Sequence, residues 1–280
     1  MVTVFGVGSI LVARSNRKVS PPPAHLRAEP VTITSPSGET LAGWVFVPAS
    51  PRAAVVVLHG VRANRSDMLA RAELLWSDGF AVLTPDLQAH GESTGKHITY
   101  GHRESQDVEV SVRYLRQRFP GLRVGGIGVS LGGAALVLAG GRVEVDAAVL
   151  EAVYPTIAEA LDNRIRSRVG PLADLLSPLL LAQLEPRLGV RASDLSPVDA
   201  IRSMRCPVLI ISGTRDVHTT AAQTQALFAA ANAPKELWLV PGAAHVDLIR
   251  YDPRGYEDHV LGFLVRHLTE PPSETGPGDR

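Results

Sequence analysis

At neutral pH a serine hydroxyl attacks a carbonyl only when a base takes its proton and an acid orients that base. The sequence carries all three residue types in a setting that suits the task. Gly128-Val129-Ser130-Leu131-Gly132 has the pattern G-x-S-x-G. It follows an apolar run, 122–127, that predicts a buried strand, and it precedes small residues, 133–139, that predict a packed helix. A serine between strand and helix sits on a strained turn, and glycines at the flanking positions let neighbouring backbone pass close by. The helix that begins beneath it offers free N–H groups and a positive dipole end to a developing oxyanion. A Gly-rich turn that only packs a helix on a sheet would show the same five residues.

The base and the acid are sought at other strand ends. The apolar run 237–240 leads into Pro241-Gly242-Ala243-Ala244-His245, which predicts His245 in a loop after a strand. The run 206–211 leads into Ser212-Gly213-Thr214-Arg215-Asp216, which predicts Asp216 in the equivalent loop. The order Ser130, Asp216, His245 is that expected of a strand–elbow–helix serine site, and all three fall beyond the carboxyl ends of parallel strands, where open α/β sheets carry their sites. Each has a plainer reading. His218 and His90 also lie near strand ends, Asp216 would cap the next helix, and Asp247 is nearer to His245 in sequence. An oxyanion needs two N–H donors, and the first central strand ends in Leu58-His59-Gly60-Val61. The glycine lets the backbone turn, so the N–H groups of Val61 and Leu131 are the expected pair. Each such donor is worth roughly 3 kcal/mol of barrier. His59, Asp86 and the turn His90-Gly91-Glu92-Ser93 read as bracing for these loops.

These loops need a rigid sheet behind them. Residues 31–34 and 41–47 alternate around Pro36-Ser37-Gly38 and predict a hairpin. The continuous run 54–58 predicts a central parallel strand covered on both faces. Further strands are expected at 80–84, 122–127, 145–150, 206–211 and 237–240, with helices at 66–77 (Ser66 as N-cap), 103–119, 220–231 and 256–268. Strands alternating with helices mean a mostly parallel α/β sheet flanked by helices. The stretch 154–201 breaks the rhythm with leucine-rich helical pieces and no strand, and is expected to form a small helical cap over the strand ends. A crossover helix pair packed wholly on the sheet is the alternative.

Composition narrows the function. The 280 residues hold 28 acidic and 28 Lys or Arg side chains, so nothing electrostatic favours nucleic acid. Cys206 is the only cysteine and sits in an apolar run, which excludes an internal disulfide and disfavours thiol chemistry. No spacing typical of a zinc site or of a phosphate-cradling loop is present, so neither metal nor cofactor is expected. Residues 2–13 are mostly apolar but fall short of the roughly 20 needed to span a bilayer. Membrane association through them would be weak, and the basic cluster at 14–18 would keep the body of the protein on the cytoplasmic side. Residues 20–30 contain four prolines and read as a linker. Residues 1–30 are therefore expected to be dispensable for chemistry, 31–268 to form the folded domain, and the polar tail 269–280 to be disordered.

Segments 54–65, 85–95, 126–133, 207–216 and 241–245 together resemble the α/β-hydrolase superfamily. The likeness is greatest to its cap-bearing serine hydrolases, the serine-aminopeptidase-like and monoglyceride-lipase-like groups, and it covers about residues 31–268. The resemblance implies an α/β-hydrolase fold and a cofactor-free Ser-His-Asp hydrolase of Ser130, His245 and Asp216. The expected substrate is a carboxylic ester or related acyl compound with an apolar group, since leucines dominate the cap. A peptidase or acyltransferase would use the same triad and would be marked by a charged specificity group in the cap. Arg164, Arg166 and Arg168 would form such a group, or else a solvated helix face. A non-catalytic, membrane-tethered binding protein is the remaining alternative, though such a protein would usually lack a triad member.

Overall fold

The computed structural model describes residues 2–269. Eight strands form one sheet: β1 (Glu29–Thr34), β2 (Thr40–Phe46), β3 (Ala53–Leu58), β4 (Phe80–Pro85), β5 (Val124–Val129), β6 (Ala147–Glu151), β7 (Val208–Gly213) and β8 (Lys235–Val240). Their spatial order is β1-β2-β4-β3-β5-β6-β7-β8. The hairpin β1–β2 pairs antiparallel, as does β2 with β4, and every other pairing is parallel. The central strands β3 and β4 are buried at every position. That is why β3 reads as an unbroken apolar run: helices cover both of its faces.

Helix α1 (Val2–Val12) precedes the sheet, α2 (Leu69–Ser77) and α3 (Glu104–Arg118) flank its first half, and α4 (Leu131–Ala139) leaves β5. Between β6 and β7 come α5 (Ile157–Val169), α6 (Ala173–Leu181), α7 (Leu184–Leu188) and α8 (Pro197–Ala200), with no strand among them. Helix α9 (Ala221–Ala230) joins β7 to β8, and short helical segments fill 248–268.

Two local expectations are corrected. The helix expected from Ser66 begins with a 3-10 turn, Arg65–Met68, and its cap is Asn64. Asn64 Oδ1 accepts from the Ser66 N–H at 2.9 Å while Asp67 Oδ2 accepts from the Asn64 N–H at 3.0 Å, a reciprocal arrangement that Ser66 cannot make from inside the turn. The stretch 20–30 is not a free linker. Its end belongs to β1, Leu26 is buried, and the Ser20 N–H donates to Ser66 Oγ at 3.2 Å. The polar tail from 270 onward lies outside the described residues.

Bracing of the β3 and β4 loops makes stability depend on pH. His59 Nδ1–H donates to the Gly60 carbonyl at 2.8 Å, and Nε2 accepts from the Leu87 N–H at 3.0 Å, so the ring must be neutral. Burial pushes His59 and the adjacent His90 down from the ordinary 6.5 to about 4. Unfolding lets both rings take up protons, so stability held above pH 6.5 is lost as pH falls toward 4. Each ring removes up to about 1.4 kcal/mol per pH unit in that window. Melting temperature followed from pH 7.5 down to about 4.5 should therefore fall, and fall less steeply in His90→Asn. A flat profile would contradict the neutral-ring assignment.

Candidate active site

Ser130 follows β5 directly and starts α4, with φ 50° and ψ −109°. A non-glycine residue at such a φ is strained, and here neighbouring bonds enforce it. The Ser130 N–H donates to the Glu151 carbonyl at 2.8 Å and its carbonyl accepts from the Ala134 N–H at 2.9 Å. The turn closes only around glycine. A Cβ on Gly132 would stand 2.6 Å from the Leu58 carbonyl oxygen, and one on Gly128 would stand 2.4 Å from the Gly133 α-carbon.

His245 and Asp216 come from the loops after β8 and β7. His245 Nδ1–H donates to Asp216 Oδ2 at 2.7 Å, which leaves Nε2 as the ring nitrogen for proton transfer. Asp216 Oδ1 accepts from the N–H groups of His218 at 2.7 Å and Thr219 at 2.9 Å. Burial alone would raise the Asp216 carboxyl. The His245 hydrogen bond and charge, with those two N–H groups, outweigh it and hold Asp216 below the usual carboxylate value. Asp216 therefore stays ionised beside the imidazole.

Asp247, the rival acid, turns elsewhere. Its Oδ1 accepts from Arg71 Nη1 at 2.8 Å. Arg71 Nε also donates to Glu151 Oε1 at 2.9 Å, and the Tyr256 hydroxyl donates to that same carboxylate. Burial would lower the Arg71 guanidinium, but Glu151 more than offsets this and keeps it charged. One buried cation thus joins the strand end that holds the Ser130 N–H to the loop that carries His245. Nothing local in the sequence signals this network, because Arg71 and Asp247 are 176 residues apart.

Ser130, His245, Val61 and Leu131 all line one cavity of about 390 Å³. The β3 loop runs beside the elbow: a Cβ on Gly60 would lie 3.7 Å from Ser130 Cβ. Helices α5, α6 and α7 supply Ile157, Leu161, Leu180 and Leu184 to the cavity wall. Leu179, by contrast, faces outward at 46% exposure. Asp86 and His59 brace the loops: Asp86 accepts from the N–H groups of Arg65 at 2.7 Å and Glu92 at 2.9 Å.

Sequence reasoning missed α1. Ile10, Leu11 and Val12 line the same cavity. The Leu11 carbonyl accepts from the Tyr100 hydroxyl at 2.8 Å, and the Val12 carbonyl accepts from the Ile98 N–H at 2.8 Å. Arg62, next to Val61, donates to the carbonyls of Ile10 and Leu11. Arg187 stacks 4.0 Å over the Phe5 ring and donates to the Phe5 carbonyl at 2.7 Å. Among the described residues no helix is long and apolar enough to cross a membrane. Residues 1–30 are expected from the sequence to be dispensable for chemistry, yet the apolar helix packs on the α6–α7 segment and forms part of the cavity wall. Deleting residues 1–12 should lower kcat/KM for a medium-chain ester about ten- to hundredfold, the equivalent of two or three buried methylenes at ~0.8 kcal/mol each. Unchanged kinetics in the truncated protein would return α1 to a passive role.

Residues 55–258 match the Alpha/beta hydrolase family. The chain is 27% identical over 236 residues to the uncharacterized protein YqkD of Bacillus subtilis (strain 168), covering 83% of this chain and 77% of that one. It is 28% identical over 239 residues to an uncharacterized protein of Mycobacterium tuberculosis (strain ATCC 25618 / H37Rv), covering 84% and 78%. Among solved structures it resembles an esterase from Pyrococcus furiosus, with TM-score 0.76, 24% identity and coverage of 91% of this chain and 98% of that one. The sheet order, the elbow between β5 and α4, and a family match across most of the sheet agree, and the chain belongs to the alpha/beta hydrolase family.

Proposed function

We propose that the protein hydrolyses carboxylic esters through an acyl-enzyme on Ser130. The observation that carries this reading is the 2.7 Å bond from His245 Nδ1 to an ionised Asp216, with His245 and the strained Ser130 in one cavity wall. Ser130 Oγ attacks the ester carbonyl while His245 Nε2 takes its proton, and Asp216 stabilises the imidazolium. The N–H groups of Val61 and Leu131 stabilise the tetrahedral oxyanion. The imidazolium then protonates the departing alcohol, and water, activated by the same imidazole, releases the acid. The esterase activity named for the Pyrococcus furiosus neighbour is in keeping with this reading.

The helical insertion α5–α7 is proposed to choose the substrate. Ile157, Leu161, Leu180 and Leu184 make its cavity face apolar, which suits an acyl or alkyl chain. The test is labelling by a fluorophosphonate, followed by 4-nitrophenyl esters of increasing chain length. A wild-type protein that neither labels nor cleaves any ester would overturn the proposal. Trimming Leu180 and Leu184 to alanine should flatten the chain-length preference, at about fourfold per lost methylene contact. If acetate hydrolysis collapses while the profile keeps its shape, the insertion is support and not a selector.

A further inference from the structure

The three arginines of α5 part company in the structure. Arg166 turns outward, with Nε 3.2 Å from Asp162 Oδ2 and a second bond to Asp174. Arg164 and Arg168, one helical turn apart, line the cavity. Neither makes an ion pair with a carboxylate among the described residues, and no aspartate or glutamate lines the cavity. Arg62 and Arg187 line it as well, but the carbonyls of α1 already occupy their guanidinium groups. The cavity wall thus holds four arginines and no carboxylate, and Asp216, whose charge reaches Arg164, is already engaged with His245.

Like charges at i and i+4 on a helix repel, and burial followed by the charge of Arg168 pushes the Arg164 guanidinium below its ordinary value. His218, edge-on to His245 with ring centroids 5.4 Å apart, is likewise held down by burial and then by Arg164. An anion seated between the two guanidinium groups would relieve this repulsion and bond to both. A cationic C-terminal turn would satisfy the dipole of α5, but that accounts equally for the outward Arg166 and does not explain why two side chains face the cavity. The pair is also held at a set place relative to the serine. Asn163 Nδ2 donates to the His218 carbonyl at 3.1 Å and to Gln223 Oε1 at 2.8 Å, tying α5 to the loop that carries Asp216.

We propose that Arg164 and Arg168 form an anion-binding subsite, and that the preferred substrate is an ester whose acyl chain ends in a carboxylate or phosphate. The chain would lie along Leu161, Leu180 and Leu184, with the carbonyl at Ser130 and the anion at the arginine pair. This inference rests on the ester-hydrolase reading of the same cavity.

The test compares three 4-nitrophenyl esters built on a six-carbon acyl chain: the adipate half-ester, its neutral methyl ester, and the 6-phosphooxyhexanoate. The wild type should favour at least one anionic ester over the neutral one by about tenfold to a hundredfold in kcat/KM, carried mainly by KM, which is the range for hydrogen bonds to a charged group. The favoured arm identifies the anion. Arg164→Gln and Arg168→Gln should each lower the anionic-to-neutral ratio about tenfold, whereas Arg166→Gln, outside the cavity, should leave it alone. A wild-type ratio of one or less, or a ratio that survives in the double Arg164→Gln/Arg168→Gln variant, overturns the subsite. Calorimetric titration of Ser130→Ala with adipate and with 6-phosphooxyhexanoate separates this outcome from failure of the enzyme reading. If no ester is cleaved, binding of either anion that disappears in the double arginine variant still supports the subsite, and absence of binding overturns it.

Discussion

Ser130→Ala should lower kcat for ester hydrolysis on the order of 10⁶-fold and abolish fluorophosphonate labelling, while far-ultraviolet circular dichroism stays unchanged. The magnitude is that expected when the nucleophile of a triad acting as a unit is removed. Removing Oγ leaves no large void, because Ser130 is held by its main chain through the Glu151 carbonyl and the Ala134 N–H. The elbow should therefore close as before. Labelling that persists in the variant would place the nucleophile elsewhere and overturn the mechanism.

Asp216→Asn should lower kcat on the order of 10⁴-fold, because an amide in place of the carboxylate no longer stabilises the imidazolium or selects its tautomer. Asp247→Asn should change kcat only a few-fold. Asp247 bonds Arg71 at 2.8 Å and its side chain is one-third exposed, so its loss removes a partly screened ion pair and costs about 1 kcal/mol of stability or less. Single-turnover kinetics on the two variants, with thermal melts beside them, decide the matter. The reverse ranking would show that Asp247, and not Asp216, orients the histidine.

The elbow was legible because its signal is local. Gly128, Ser130 and Gly132 answer to contacts made within one turn and with the neighbouring strand β3. The β3 strand was legible because burial on both faces leaves an unbroken apolar run. Strand ends were read less well: β5 ends at Val129, two residues beyond the apolar run that predicted it, because the serine must leave the sheet at the strand's last residue. Position after a strand favoured Asp216 over Asp247 as the partner of His245, although Asp247 is nearer to the histidine in sequence. In the structure Arg71, carried on α2, engages Asp247, while His245 engages Asp216.

What the sequence determined by itself was the alternation of strands and helices, the position of the strained serine turn, and the placing of Asp216 and His245 after successive strands. These depend on periodicity and on backbone sterics, which neighbouring residues set. Only the tertiary structure decided which side chains meet. It put α1, whose sequence lacks any polar face, against α6, α7 and the Arg62 loop, where Arg187 and Tyr100 meet its carbonyls. It also turned Arg164 and Arg168 toward the cavity and Arg166 toward Asp162, a choice that three arginines at spacing two leave open until the helix has a face to bury. The reason is the same in both cases. Hydrogen bonds and charges find partners across distances in sequence that no local pattern records, and the sheet brings those partners together only once it has folded.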